Sequence, residues 1–205
     1  MLALSVAGLS ARASQSALGC DLFAMPSIGY GPDRNGTKGY LAIRQLISST
    51  ESKFTHNALV HDGKLLAVKR PIDGTPEAKQ PNATRFRMLE CFNSPFYEGG
   101  LRGQGLLQTE EGHLCLTLKN GTVSMENCAV TEGDKFASQW VQIDSMLNPH
   151  GPQPFPDVGH RDKEDGPEMR EAVLQHDAVV SLKNNTGNYP YYSLALIDSA
   201  ANPGL

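Results

Sequence analysis

Long apolar runs and an excess of positive charge are missing from this chain of 205 residues, and tryptophan occurs once. No stretch approaches the roughly 18 consecutive apolar residues that a membrane-spanning helix needs. The formal net charge is −4 and no basic stripe is present, whereas nucleic-acid-binding proteins carry clustered positive charge. The sequence therefore predicts neither a membrane span nor a nucleic-acid partner.

Catalytic and metal-binding motifs are also missing. The six histidines and four cysteines form no HExxH, CxxC or similarly spaced ligand set, and no G-x-S-x-G elbow or P-loop occurs. We therefore expect no cofactor, no metal site and no enzymatic activity. One weaker hypothesis stays open, a hydrolase that uses His150 and His160 together with Asp157, Asp162 and Glu164.

Turn-forming residues are abundant. Twenty glycines and 13 prolines suit many short strands better than long helices, and the length suits one domain with one core. We expect a single all-β domain over residues 38–205, preceded by an N-terminal extension over 14–37. The five prolines and the charge run of residues 148–170 predict a surface loop inserted before the last hairpin.

The Asn120-Gly121 dipeptide, which lies between two alternating apolar runs, is the strongest local signal. It favours a type I′ turn, because both central residues of that turn need a positive φ. Such a turn sets Leu118 opposite Val123 and Leu116 opposite Met125, so that these four side chains share one buried face. The residues between them, including the cysteines, are then expected on an outer face.

The same register makes Cys115 and Cys128 diagonal neighbours, close enough for a disulfide if the strand end curls inward. Closing a loop of this size contributes about 3 kcal/mol in the chain-entropy model. Cys20 and Cys91 form the second pair by elimination. The alternative for Cys115 and Cys128 is that they are two reduced, half-buried thiols.

Several features point to the secretory pathway. Residues 1–13 resemble the end of a signal peptide, with an apolar stretch before Ala11-Arg12-Ala13; the alternative is an ordinary N-terminus. Four sites fit the N-glycosylation motif, and with paired cysteines they favour an oxidising compartment. These sites are Asn35, Asn82, Asn120 and Asn184. We therefore expect an extracellular glycoprotein.

A short apolar pattern ending in lysine recurs three times along the chain, each time ahead of an apparent partner strand. The pairs are 66–69 with 86–91, 116–119 with 123–128, and 180–183 with 192–197. We interpret them as three related hairpins, none of which could bury its own apolar face alone.

Residues 113–143 combine a Cys-Leu strand, a turn, a second cysteine and Gln139-Trp140. This stretch resembles one repeat of the ricin-B-type β-trefoil family, and secreted fungal proteins of this kind look most similar. The resemblance implies a pseudo-threefold barrel capped by hairpins and, in lectin members, binding of galactose-type sugars. The first and last hairpins resemble such repeats only loosely.

The resemblance also implies where a sugar would bind. The sugar-gripping aspartate corresponds to Asn120, the aromatic platform to Glu126, and the amide pair to Ala137 and Ser138. This repeat therefore keeps the scaffold and departs from the site, and Trp140 is expected in the core.

Tyr189 and Tyr191 follow an asparagine-rich turn and are further candidates for ligand binding, since tyrosine both stacks and forms hydrogen bonds. We expect a secreted, non-enzymatic binding module whose ligand is a glycan or glycoconjugate. The alternative is a trefoil scaffold without sugar affinity that acts on a protein partner, as an inhibitor, effector or wall-associated protein. The oligomeric state is left open.

Overall fold

The computed structural model describes residues 19–22, 38–79, 81–91, 93–94, 103–131, 133–144, 157–161, 168–184 and 187–197. Over these ranges the chain forms thirteen strands and two short helices, which confirms the all-β prediction. The elements are β1 (Cys20–Leu22), β2 (Lys38–Leu46), β3 (Ser52–His61), β4 (Lys64–Lys69), α1 (Pro76–Lys79), β5 (Arg85–Cys91), β6 (Gly103–Thr109), β7 (Leu114–Lys119), β8 (Thr122–Asn127), α2 (Asp134–Gln139), β9 (Trp140–Asp144), β10 (Asp157–Arg161), β11 (Glu168–Gln175), β12 (Ala178–Asn184) and β13 (Tyr191–Ile197).

Eight strands close an antiparallel barrel in the order β2, β5, β6, β7, β8, β12, β11 and β13, with β13 pairing back onto β2. A shorter circuit of six strands closes through β9 and β10. The largest cluster of buried apolar side chains includes Leu41, Phe86, Leu116 and Leu194. Among the described residues no helix is long and apolar enough to cross a membrane.

The pairing pattern repeats three times along the chain. The strands β2–β5, β6–β9 and β10–β13 form three groups of four. In each group the first strand pairs with the second and the fourth, and the second pairs with the third. The fourth strand of each group then pairs with the first strand of the next.

The predicted middle hairpin is confirmed, including its register, since Leu116 lies opposite Met125 and Leu118 opposite Val123. The two other predicted hairpins are wrong. Strand β4 pairs with β3, and not with 86–91; β12 pairs with β11, and not with 192–197. Two-residue turns close both hairpins locally, so the look-alike segments fall on strands that are not equivalent in their groups.

The prediction of a loop insertion over 148–170 is wrong for the residues that the structure describes there. Residues 157–161 form β10, which pairs with β9, β11 and β13, and residues 168–170 begin β11. A strand bonded on both sides belongs to the sheet and not to an insertion. Its sequence, Asp-Val-Gly-His-Arg, has no apolar alternation, so the strand is specified by its neighbours.

The turns of the three hairpins are joined to one another in a closed circle. Each turn has positive φ at both central residues, 48° and 71° at Asp62-Gly63, 51° and 77° at Asn120-Gly121, and 48° and 58° at His176-Asp177. The second carbonyl of each turn accepts a hydrogen bond from the third strand of the next group. These bonds join Met125 N–H to Gly63 O (2.8 Å), Leu182 N–H to Gly121 O (3.2 Å) and Ala67 N–H to Asp177 O (2.6 Å).

A second core lies on the face of β7 that was predicted to be outer. Cys115 is fully buried and Thr117 is 1% exposed, so that prediction is wrong. Helix α2 covers this face with Phe136, which packs with Cys115 and Trp140 in one apolar cluster. The strands near α2 are therefore buried on both faces.

Two disulfides tie the outer elements to this second core. The Cys115–Cys128 bridge joins β7 to the segment after β8, and the Cys20–Cys91 bridge joins β1 to β5, which confirms both pairings. Of the predicted extension over 14–37, the described residues 19–22 include β1, which pairs with β5. The predicted signal residues 1–13 lie outside the described residues. In the chain-entropy model the longer loop, with a sequence separation of 71, is worth about 4 kcal/mol.

Gly105 lies where β6 runs too close to β5 to accommodate a side chain. It has φ 156°, and a Cβ added there would collide with the Leu89 carbonyl oxygen and lie 3.1 Å from Cys91 Sγ. We expect Gly105→Ala to lower the free energy of unfolding by about 1–3 kcal/mol through overpacking, in addition to backbone strain. Thermal unfolding followed by circular dichroism measures the loss.

The matched control is Gly74→Ala, because Gly74 also has a positive φ (81°) but has nothing within 4 Å of an added Cβ. This control suffers backbone strain alone, about 1 kcal/mol. Equal losses of Tm in the two variants would contradict the close approach at Gly105.

Candidate functional site

Two of the residues that the family resemblance proposed for sugar binding, Asn120 and Glu126, lie on the β7–β8 hairpin and serve other purposes there, while Ala137 and Ser138 lie on α2. Asn120 is exposed, but it occupies the first central position of the turn, with φ 51°. Glu126 is half-buried on β8, where its Oε1 accepts a hydrogen bond from Ser124 Oγ at 3.3 Å. Glu126 lies four strand residues, about 13 Å, beyond Thr122, which itself follows the turn that contains Asn120. Asn120 and Glu126 therefore do not face one monosaccharide together.

Three of the four predicted glycosylation sites are in the described part of the chain. Asn82, Asn120 and Asn184 are all exposed, and Asn35 lies outside the described residues. Their side chains are accessible for modification. Thr84 of the first of these motifs also accepts a hydrogen bond from the backbone N–H of Val60 at 2.8 Å.

Gln139 is the residue that connects α2 to the β7–β8 hairpin, and its role was missed in the sequence. It is fully buried, and its Oε1 accepts a hydrogen bond from Ala129 N–H at 2.7 Å. Its Nε2 donates to Thr117 Oγ1 at 3.0 Å and to Asn127 O at 3.1 Å. One fully buried amide therefore makes three hydrogen bonds, which join α2 to β7 and to the segment that ends β8.

The neighbours of Gln139 complete the scaffold. Trp140 is 4% exposed and meets Phe136 edge-on, with ring centroids 5.5 Å apart. Ser138 lies on α2, where its Oγ donates to Lys135 O at 2.7 Å. Trp140 and Gln139 are therefore packing residues, and neither offers a surface to a ligand.

Tyr189 and Tyr191 are the predicted ligand-binding residues that the structure brings together. Their rings lie 5.4 Å apart at an interplanar angle of 31°. Tyr191 starts β13 opposite Leu46 and is 9% exposed, whereas Tyr189 is 43% exposed. The arrangement is an exposed ring supported by a buried one.

A polar row that the sequence analysis missed crosses five neighbouring strands. Directly paired residues in antiparallel strands point to the same face, and the register links one residue to the next on β2, β5, β6, β7 and β8. The row consists of Lys38, Arg87, Gln108, Cys115 and Glu126. It spans about 19 Å at the usual strand spacing, so it brings residues together that are far apart in sequence.

Arg87 is held in place within this row. Its Nε donates to Gln108 Oε1 at 2.7 Å, and Gln108 is itself 2% exposed. The Nε2 of Gln108 donates to Gly112 O at 2.9 Å and contacts Cys128 Sγ at 3.2 Å. The guanidinium is therefore anchored to the bridged β7–β8 unit through a buried amide. The alternation of Arg85 and Arg87 in β5 was the one feature of the sequence that could have indicated this row.

The residues of the hydrolase hypothesis are only partly in the described ranges. Asp157 and His160 lie in β10, opposite Asp144 and Val141 of β9, while His150, Asp162 and Glu164 fall outside. Where the structure is described, no group of three or more His, Cys, Asp or Glu residues could hold a metal ion.

No protein-family model, curated protein or solved structure matches this chain.

The amide network around Gln139 gives a direct test of the scaffold. We expect Gln139→Leu to lower the free energy of unfolding by about 2–3 kcal/mol, because the three hydrogen bonds that this fully buried amide makes are lost together. Urea unfolding, with the midpoint compared at constant m-value, measures the effect.

Ser138→Ala is the matched control on the same helix, since it removes one exposed side-chain hydrogen bond. We expect it to change stability by about 0.5 kcal/mol or less. A Gln139→Leu protein as stable as the Ser138→Ala protein would show that the amide is not holding the helix to the hairpin.

Proposed function

We propose that this protein is a secreted β-trefoil-type binding module whose ligand is a glycan. Three observations support the trefoil assignment within the all-β barrel: the pairing pattern that repeats in three groups of four strands, the six-strand circuit, and the circular bonding of the three hairpin turns. A barrel capped by three hairpins is what the resemblance of residues 113–143 implies.

The two disulfides support the extracellular assignment. Disulfides persist in oxidising compartments, and both bridges here join elements of the domain core. The exposed asparagines at positions 82, 120 and 184 support N-glycosylation in the same compartment.

The pair of tyrosines is the observation that carries the glycan proposal. Packing of the Tyr189 ring against the tilted ring of Tyr191 limits its movement, so less conformational entropy is lost when a ligand packs against it. The exposed ring offers an apolar face to the C–H groups of a sugar, and its hydroxyl offers a hydrogen bond. Pro190 lies between the two tyrosines and restricts the backbone further.

The β7–β8 hairpin serves as scaffold in this proposal. Asn120 is needed for the turn, and Glu126 has no apolar face for a pyranose ring. The sugar therefore binds at the β12–β13 connection, away from the position that the family resemblance implies.

Glycan-array binding by protein secreted from a eukaryotic host tests the proposal. We expect Tyr189→Ala to weaken a competable sugar signal at least tenfold, because the stacking face is lost, whereas Tyr189→Phe keeps most of it. The control is Tyr192→Phe, at the position after Tyr191 on β13. This variant should bind like the unmodified chain.

An array without competable signal, both for the unmodified chain and for Asn120→Gln, would contradict glycan binding. The second protein is included because a glycan attached at Asn120 could cover part of the surface. That outcome would favour the alternative of a trefoil scaffold that acts on a protein partner.

A further inference from the structure

Two cations face each other directly across neighbouring strands. Lys38 of β2 and Arg87 of β5 are register partners, so both side chains start from the same outer face of the sheet. Like charges in directly opposed positions are destabilising. Such a pair needs either a compensating acid or a ligand that supplies the negative charge.

Glu110 is the acid beside these cations, and two basic side chains share its carboxylate. Its Oε1 lies 3.5 Å from Lys38 Nζ, and its Oε2 lies 3.4 Å from Arg85 Nη1. Arg87 has no carboxylate partner among the described residues, and its side chain donates instead to the neutral amide of Gln108. The one carboxylate therefore contacts two of the three cations and leaves Arg87 without a carboxylate among the described residues, on a chain whose net charge is −4.

The cations are partly ordered before any ligand arrives. The buried amide of Gln108 fixes Arg87, and a Cβ added at Gly112 would lie 3.1 Å from Arg87 Nη2, so the guanidinium lies against the β6–β7 turn. Arg85 lies over the ring of Tyr40 at 5.7 Å. Fixed guanidinium groups suit oxyanions, because their planar donors match the oxygen geometry.

We propose that Lys38, Arg85 and Arg87 form a site for the sulfate or carboxylate groups of an acidic glycan. This inference relies on the proposed function for the class of ligand and adds that the glycan is anionic. Arg87 and Lys38 bind one anionic group between them, while Arg85 and Tyr40 bind the next part of the chain. Glu110 limits the excess charge to a few positions, so the site is suited to individual sulfate or carboxylate groups of a glycan and not to a continuous phosphate backbone.

Binding of a heparin-derived hexasaccharide to the full chain, measured by calorimetry in low salt, tests the site. We expect Lys38→Gln/Arg87→Gln to weaken binding at least tenfold, because two charge-assisted contacts are lost. Arg87→Lys should weaken it severalfold, since lysine keeps the charge but not the fixed fork. The control is Lys64→Gln/Lys119→Gln, which removes the same charge from two exposed positions on other strands and should bind normally.

Unchanged affinity of Lys38→Gln/Arg87→Gln, or no binding by the unmodified chain, would overturn the site. Single-stranded DNA of equal charge that binds as tightly would overturn its selectivity for a glycan. Tyr189→Ala separates the two proposals: it should lose neutral sugars on the array and keep the hexasaccharide within about threefold. If Tyr189→Ala leaves neutral sugar binding intact while Lys38→Gln/Arg87→Gln loses the hexasaccharide, the tyrosine site is wrong and the cationic site stands.

Discussion

Three backbone hydrogen bonds connect the ends of the three hairpins in a circle, and the register of the whole barrel depends on them. Each bond runs from the N–H of a core residue, Ala67, Met125 or Leu182, to the carbonyl of a turn in another group of strands. Each bond is worth only about 0.5–1.5 kcal/mol net. A shift of one residue in any hairpin would break two of them and turn its apolar side chains away from the core.

The sequence predicts the parts of the fold that are local. Asn120-Gly121 fixes its hairpin because the turn type and the apolar alternation agree on one register. Strand β10 could not be predicted, since Val158 is its one large apolar residue and its hydrogen-bonding partners lie far away in sequence. The outer face of β7 was predicted to be exposed, because nothing in the short segment Asp134–Gln139 shows that it packs there.

The candidate sites also divide into those that are local in sequence and those that depend on distant parts of the chain. Tyr189 and Tyr191 could be recognised as a pair in the sequence because they are two residues apart, and in the structure their rings are in contact. The pairing of Lys38 with Arg87 depends on β2 and β5 being neighbours, which the predicted hairpins did not include. Gln139 could be noticed beside Trp140, but its three hydrogen bonds depend on how the segment after β8 folds back.

The residues that hold the fold together are therefore different from the residues that are proposed to bind a ligand. The turns, the amide of Gln139 and the two disulfides hold the hairpins in place, and the binding surfaces proposed above lie outside them, at the β12–β13 connection and on the outer face of the β2–β5 pair. The cationic surface requires β2 and β5 to be neighbours in the barrel, whereas the tyrosine pair is local in sequence.

Amide hydrogen exchange followed by NMR tests that arrangement most directly. The account predicts that the N–H groups of Ala67, Met125 and Leu182 exchange slowly and with similar protection, near that of global unfolding, because all three are bonded within one cooperative unit. Exchange at any one of them as fast as at the exposed residues around α1 would contradict the closed circle and the barrel built on it.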